Sequence, residues 1–177
     1  MSTLGIDAGM KGAIVVLRDD GSMLVHDIMG SRVGAIGFLR EHHHEVNGAV
    51  IEKAQTFGQE GRVSLVTFIG CREALWGALV MAQVPILKEP APQEWKAAVG
   101  ITCHPPARCP KDATDTQKKA RRQAMNGYRH KQKQAARDRA SVLYPQSAKL
   151  FARVQDSDRA EAVLMAHYGL MLMRGTK

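Results

Sequence analysis

Hydrophobic and β-branched residues dominate two short segments near the N-terminus of the chain. Thr3–Asp7 and Gly12–Arg18 are apolar runs separated by glycines, which is the pattern of buried strands. The turn sequence Asp19–Ser22 follows, and Met23–Met29 is predicted as a third strand. Because the connections between these segments are short, the pattern predicts an antiparallel three-strand meander.

Predicted helices alternate with short strands after the meander. Gly34–Val46 and Arg62–Gln83 have apolar residues at helical spacings, and each precedes a short buried strand, at Gly48–Glu52 and Val84–Leu87. A short helix follows at Gln93–Val99. Strands that alternate with helices pair in parallel, so the sequence predicts an α/β fold in which helices flank a mixed sheet.

The last third of the chain begins with a polar stretch and ends with helices. Cys103–Asn126 contains three prolines and few apolar residues, and is predicted to be a long loop or mobile insertion. Gln132–Leu143 and Asp158–Met173 are predicted helices. A length of 177 residues suits one domain, so residues 1–177 are predicted to form a single domain with a basic insertion at about 101–130.

Positive charge is concentrated in and just after this insertion. The chain carries 25 Lys and Arg against 17 Asp and Glu, a formal net charge of +8. Residues 101–150 hold 12 of the basic residues and three of the acidic ones, which leaves the rest of the chain nearly neutral. A local excess of this kind indicates either a phosphate-rich partner or a solvated basic surface.

The composition also excludes several classes of protein. Hydrophobic residues make up 45% and charged residues 24%, which is typical of a folded globular chain. No apolar run is long enough to span a membrane, and the start of the chain lacks the pattern of a secretory signal. We therefore expect a cytoplasmic protein with reduced cysteines. Zinc binding by Cys103, His104, Cys109 and His130 stays open, because their spacing fits no standard zinc finger.

Four carboxylates stand where a strand ends or a helix begins. Asp7 and Glu52 end predicted strands, and Asp158 and Glu161 lie one turn apart at the start of the last helix. If they converge in one cleft, they repel one another unless a cation binds between them. Hard divalent ions such as Mg²⁺ take oxygen ligands, and two of them can catalyse phosphodiester hydrolysis. An acidic cleft beside a basic surface is typical of a nuclease.

Each acid also has an ordinary structural interpretation. Asp158 and Glu161 have the spacing of a helix capping box, Asp7 can start a turn, and Glu52 can pair with a nearby lysine. Asp156 is a substitute for Asp158, because a later helix start would let it reach the cleft from the preceding loop. The residues alone leave these alternatives open.

At these positions the chain resembles the RuvC family of Holliday-junction resolvases, within the RNase H-like superfamily, and is nearest to its phage and chloroplast-type branches. The resemblance covers nearly the whole chain apart from roughly Cys103–His130. It rests on an ordered set of motifs: Gly5-Ile6-Asp7-Ala8-Gly9 with Gly12-Ala13, Val50-Ile51-Glu52-Lys53-Ala54, Trp95-Lys96-Ala97-Ala98-Val99-Gly100, Lys133 with Arg137 before Leu143-Tyr144-Pro145, and Asp158-Arg159-Ala160-Glu161-Ala162.

The resemblance implies a role for several of these residues. It implies that Asp7, Glu52, Asp158 and Glu161 bind catalytic metal ions, with Asp156 as the substitute for Asp158. Lys96 and Lys133 match lysines used at the scissile phosphate, and Lys133 is counted among the catalytic residues. Phe57 matches an aromatic residue that stacks on bases at the crossover, or else it is a core residue. The charge pattern adds further DNA-binding candidates: Lys118, Lys119, Arg121, Arg122, Lys131 and Arg137.

The resemblance also implies an activity. The expected enzyme is an endonuclease that uses two Mg²⁺ ions per site, with Mn²⁺ as a substitute, and resolves four-way DNA junctions by paired symmetric nicks that leave 5′-phosphate ends. We expect a homodimer joined through Arg62–Gln83, in the cytoplasm of a bacterium or a phage-infected cell. Two other functions stay open: a broader branched-DNA or flap endonuclease, and a non-catalytic junction-binding protein.

Overall fold

One mixed sheet of five strands lies at the centre of the protein. The computed structural model describes residues 1–53, 62–110 and 112–175, with the backbone alone at 62–64. Strands β1 and β2 pair antiparallel, as do β2 and β3, whereas β4 lies parallel to both β1 and β5. The sheet order is β3-β2-β1-β4-β5. The strands are β1 Ser2–Asp7, β2 Ala13–Arg18, β3 Met23–Asp27, β4 Gly48–Ile51 and β5 Ile86–Lys88.

Helices cover both faces of this sheet, which confirms the predicted α/β fold. α1 and α2 pack with one apolar cluster, and α3, α4 and α5 pack with the other. No helix within the described ranges is long and apolar enough to cross a membrane. The helices are α1 Arg32–His42, α2 Arg62–Met81, α3 Pro92–Ala98, α4 Asp115–Leu143 and α5 Ser157–Arg174.

Strand β2 shows why the sequence reads as an unbroken apolar run there. Successive side chains of a strand point to opposite faces of the sheet. Val15 and Leu17 join the cluster beneath α5, whereas Ile14 and Val16 join the cluster beneath α1 and α2, and all four are fully buried. With helices on both faces, the positions from Ala13 to Leu17 of this strand have to be apolar.

Gly5 lets α5 approach the middle of β1 without an intervening side chain. A Cβ atom at this position would lie 2.0 Å from the carbonyl oxygen of Ala162 and 2.3 Å from the backbone nitrogen of Ala166, both in α5. Any larger residue would therefore push the helix off the sheet. This contact brings the first turns of α5 beside the C-terminal end of β1, where Asp7 lies.

The prediction of a loop over Cys103–Asn126 is wrong in its second half. Helix α4 has 29 residues and begins at Asp115, well before the predicted start at Gln132. Thr114 and Gln117 form a capping box at its first turn, in which the Thr114 side chain accepts a hydrogen bond from the backbone N–H of Gln117. The segment lacks apolar periodicity because no residue from Asp115 to Lys131 is buried. Burial begins only at Ala136, where α4 meets the body.

Candidate active site

Three carboxylates converge at the C-terminal end of β1. Asp7, Asp158 and Glu161 each offer one oxygen, and these three oxygens lie within 4.8 Å of one another. Among the described residues, no other set of three or more His, Cys, Asp or Glu side chains comes together in this way. Cys103, His104, Cys109 and His130 therefore do not form such a group.

Asp7 is held by the tight connection between β1 and β2. Its Oδ1 atom accepts a hydrogen bond of 3.3 Å from the backbone N–H of Gly9. A Cβ atom at Gly12 would lie 1.9 Å from the carbonyl oxygen of Asp7, so only glycine fits this turn. The turn fixes the carboxylate at the edge of the sheet, where it faces the start of α5.

The structure distinguishes between Asp156 and Asp158. Helix α5 begins at Ser157, so Asp158 lies within its first turn and has no capping role. The capping-box interpretation of Asp158 and Glu161 is therefore wrong. Asp158 and Glu161 project from the same side of α5 toward Asp7, with side chains 18% and 14% exposed.

Asp156 instead belongs to an ion-pair network beside the site. Asp156 is 2% exposed, and its carboxylate accepts hydrogen bonds from the backbone N–H and the guanidinium of Arg153. Arg159 Nη1 lies 3.5 Å from Asp156, and the same guanidinium makes two hydrogen bonds to Asp27 at the end of β3. The network ties the first turn of α5 to the sheet, and thereby positions Asp158. Asp27 and Arg159 carried no recognisable signal in the sequence, because they are 132 positions apart.

Glu52 lies beside Asp7, Asp158 and Glu161 but is not one of the three whose oxygens lie within 4.8 Å of one another. It follows β4, and its Oε2 atom accepts a hydrogen bond of 2.8 Å from the indole N–H of Trp95 in α3. Trp95 is fully buried and so anchors the carboxylate. The negative charge of Glu161 contributes to raising the pKa of Glu52, because the two carboxylates lie near each other. We did not assign a role to Trp95 from the sequence.

Two lysines neutralise part of this negative charge. Lys96 Nζ lies 2.8 Å from Glu161 Oε1, and Lys133 Nζ donates a hydrogen bond of 2.9 Å to Asp158 Oδ1. Lys96 is nearly buried, whereas half of the Lys133 side chain is exposed. Partial burial alone would lower the pKa of Lys133, but the hydrogen bond that it donates to Asp158 and the charges of the nearby carboxylates raise this pKa overall. Lys133 is therefore a permanent cation at neutral pH.

Burial and the neighbouring carboxylates disfavour the charged form of Asp7. Burial raises its pKa well above the ordinary range, and the charges of Glu161, Asp158 and Glu52 raise it further. Burial also raises the pKa of Glu52, although the hydrogen bond from Trp95 opposes this shift. Such a site favours a bound cation, and its all-oxygen donor set fits a hard divalent ion such as Mg²⁺.

The raised pKa of Asp7 predicts a pH-dependent loss of stability without metal. A carboxyl group whose pKa is raised by folding costs stability as the pH rises from its ordinary pKa through its raised one. In EDTA, the melting temperature of Asp7→Asn should exceed that of the wild type by an amount that is smallest at acid pH and grows toward neutral pH. Thermal melts between pH 5 and 8 measure this, and a pH-independent difference would contradict it. Excess Mg²⁺ should reduce this difference in melting temperature between Asp7→Asn and the wild type.

The other predicted DNA-binding residues occupy different environments. Arg137 is buried, and its guanidinium donates to the carbonyl oxygen of Ala152, so it ties α4 to the following segment. Phe57 lies outside the described residues. The remaining candidates are on the exposed half of α4: Lys118, Lys119, Arg121, Arg122 and Lys131.

Comparison with known proteins identifies the fold. No protein-family model and no curated protein sequence matches the chain. Among solved structures, RuvC of Thermus thermophilus in complex with a Holliday junction substrate matches with a TM-score of 0.58 over 99% of this chain and 97% of that chain. The chain has a RuvC-like fold. A second T. thermophilus RuvC structure matches with a TM-score of 0.54 over 99% and 98% of the two chains, and the sequence identity is 15% in both cases. The RuvC-like architecture confirms the resemblance that the motifs indicated.

Proposed function

We propose that this protein is a metal-dependent endonuclease that resolves four-way DNA junctions. The observation that carries the proposal is the convergence of Asp7, Asp158 and Glu161 within 4.8 Å, at the end of a central strand of a RuvC-like fold. Mg²⁺ bound there, with Mn²⁺ as a substitute and Glu52 as a further ligand, would activate water and stabilise the leaving oxygen of a phosphodiester. The products are 5′-phosphate and 3′-hydroxyl ends.

The two lysines supply the positive charge that a phosphate needs in this acidic site. Lys133 is half-exposed and can reach a phosphate in front of the carboxylates, where it would position the scissile group and offset developing negative charge. Lys96 is nearly buried against Glu161 and lies over the Trp95 ring, so it holds that carboxylate in place instead of reaching into solvent. Lys133 is thus the proposed catalytic lysine, and Lys96 a positioning one.

Helix α2 supports the homodimer that paired cleavage requires. Val66, Val80 and Met81 are exposed, although they are apolar, and a Cβ atom at Gly77 would meet no described atom within 4 Å. At about 100° per residue, these four positions fall on one side of α2. A small residue among exposed apolar ones allows two helices to approach closely, so we propose that α2 packs against its copy in a second protomer.

Mapping the nicks on a synthetic four-way junction tests the proposed function. With Mg²⁺, the wild type should cut two strands at symmetric positions, because a two-fold dimer presents two equivalent sites. Three-way junctions, flaps and linear duplexes provide the comparison. Equal cutting of all branched substrates would indicate the broader branched-DNA or flap nuclease. Tight junction binding without any cutting would indicate a non-catalytic binding protein.

A further inference from the structure

One side of α4 carries a row of cations that ends at the carboxylates. We call Lys118, Arg122, Arg129 and Lys133 the basic stripe. Because each residue of an α-helix turns by about 100°, these four lie within about 60° of one another around the axis of α4. All four are exposed. The stripe is about 22 Å long at 1.5 Å per residue, and its last member, Lys133, bonds to Asp158.

The orientation of the stripe follows from the buried half of the same helix. Ala136 and Ala140 lie on the same side of α4 by the same rotation, and both are fully buried in the cluster beneath α5. The side of α4 that packs against the rest of the protein at Ala136 and Ala140 therefore carries the basic stripe from Lys133 back to Lys118. The stripe faces the region in front of the carboxylates instead of the solvent behind the helix.

The segment before α4 braces the helix without covering the stripe. Arg121 Nε donates to the carbonyl oxygen of Ala107 at 3.1 Å, and Tyr128 donates its hydroxyl hydrogen to the carbonyl oxygen of Cys103 at 3.4 Å. Arg121 and Tyr128 lie on a neighbouring side of α4, at least about 60° from Lys118. The projecting half of α4 is thus held in position with Lys118, Arg122 and Arg129 exposed.

Apart from the bond between Lys133 and Asp158, the one ion pair that the described residues give to the stripe is weak. Lys118 Nζ lies 3.6 Å from Asp115 Oδ1, and both side chains are largely exposed. Exposed pairs of this kind contribute little and are readily exchanged for another anion. Lys118 is therefore available to a phosphate.

We propose that the basic stripe binds the backbone of one duplex arm of the DNA, starting at the scissile phosphate and extending over about six base pairs at 3.4 Å each. This inference rests on the proposed function and specifies the part of the substrate that α4 holds. Double-stranded DNA is the favoured partner because surfaces for single strands combine cations with stacking aromatics. The stripe has no aromatic residue, and Tyr128 is turned away into its bond with Cys103.

The salt dependence of binding tests the stripe without any cleavage. In an Asp7→Asn background, Lys118→Gln/Arg122→Gln should reduce the slope of log K against log salt by about 0.9 for each lost phosphate contact, or about 2 in total. Arg40→Gln/Lys149→Gln is the matched control, since it removes one exposed Arg and one exposed Lys elsewhere on the protein. The control should keep the original slope. Circular dichroism checks that α4 stays helical.

A second comparison separates the stripe from a diffuse basic surface. Lys131 lies on the opposite side of α4 from Arg129, although the two are neighbours along the helix. The charge pattern alone made Lys131 a DNA-binding candidate, but its position on the helix places it outside the stripe. Arg129→Gln should therefore lower the slope and Lys131→Gln should not, so equal losses would overturn the proposal. Neutral methylphosphonates in place of the phosphates along the first six or so base pairs of each arm should abolish the difference in salt slope between Lys118→Gln/Arg122→Gln and its Asp7→Asn parent. An equal effect of that variant on single-stranded and duplex DNA would also overturn it.

The same measurements distinguish a failure of the stripe proposal from a failure of the proposed resolvase activity. If the stripe variants lose slope on both junctions and linear duplexes while the wild type cuts no junction, the stripe is correct and the proposed resolvase activity is wrong. If the wild type makes paired nicks but the stripe variants bind with an unchanged slope, the activity stands and the stripe is wrong.

Discussion

Asp7→Asn should abolish junction cleavage while the protein still binds the junction. The substitution keeps the size of the side chain but removes the charge at the centre of the cluster, where Asp158 and Glu161 approach it from α5. Losing a central ligand of the catalytic metal removes several kcal/mol of transition-state stabilisation, so the rate should fall at least about 10³-fold. Single-turnover cleavage and a gel-shift assay measure the two properties separately.

Asp20→Asn is the matched control for this variant. Asp20 is an exposed aspartate in the turn between β2 and β3, far from the C-terminal end of β1, and its carboxylate accepts a hydrogen bond from the backbone N–H of Ser22. It should cut at the wild-type rate. Cleavage by Asp7→Asn within about tenfold of that rate would show that the carboxylate cluster is not the active site.

Asp158→Asn and Asp156→Asn should have opposite consequences. Asp158 faces Asp7 and bonds to Lys133, so its amide variant should lose cleavage and keep its fold. Asp156 is itself buried and pairs with Arg153 and Arg159, so its variant should lose about 2–3 kcal/mol of stability. In a protein of this size, that loss lowers the melting temperature by about 5–10 °C. Below its melting temperature, Asp156→Asn should still cut.

Measuring both quantities for both variants makes this comparison decisive. Thermal melts are recorded with EDTA and with Mg²⁺, and cleavage is assayed well below either melting temperature. Mg²⁺ should raise the melting temperature of Asp156→Asn more than that of Asp158→Asn, because only the latter loses a proposed ligand. If Asp156→Asn abolished cleavage while the protein stayed folded, and Asp158→Asn left cleavage unimpaired, the assignment of the two residues would be reversed.

The sequence was most informative where local chemistry and tertiary structure agree. Strand β2 is buried on both faces, so its apolar run identified it directly. Asp7 could be singled out because it ends β1, another buried strand, where an acid has no partner in the core. The choice between Asp156 and Asp158 could not be made, because it depends on the residue at which α5 begins. A shift of two residues rotates a helical side chain by about 200°.

Helix α4 shows the opposite case. In its first half no residue from Asp115 to Lys131 is buried, so an apolar face is not required there and periodicity gives no signal. The capping box of Thr114 and Gln117 was present in the sequence, as was a stretch without proline from Lys111 to Tyr144. These signals outweigh the polar composition that favoured a loop. The contacts of Trp95 with Glu52 and of Arg159 with Asp27 depend on the finished fold and had no local signature.

The proposed site joins the first strand of the chain to its last helix. Asp7 is in place once the β1–β2 hairpin has formed, but Asp158 and Glu161 arrive only when α5 settles on Gly5. During synthesis, which proceeds from the N-terminus, a chain that has not yet formed α5 therefore holds Asp7 and Glu52 without the other two carboxylates. Under the proposed function, such an unfinished chain lacks two of the proposed metal ligands and should not cut DNA, so cleavage would wait until translation has reached α5.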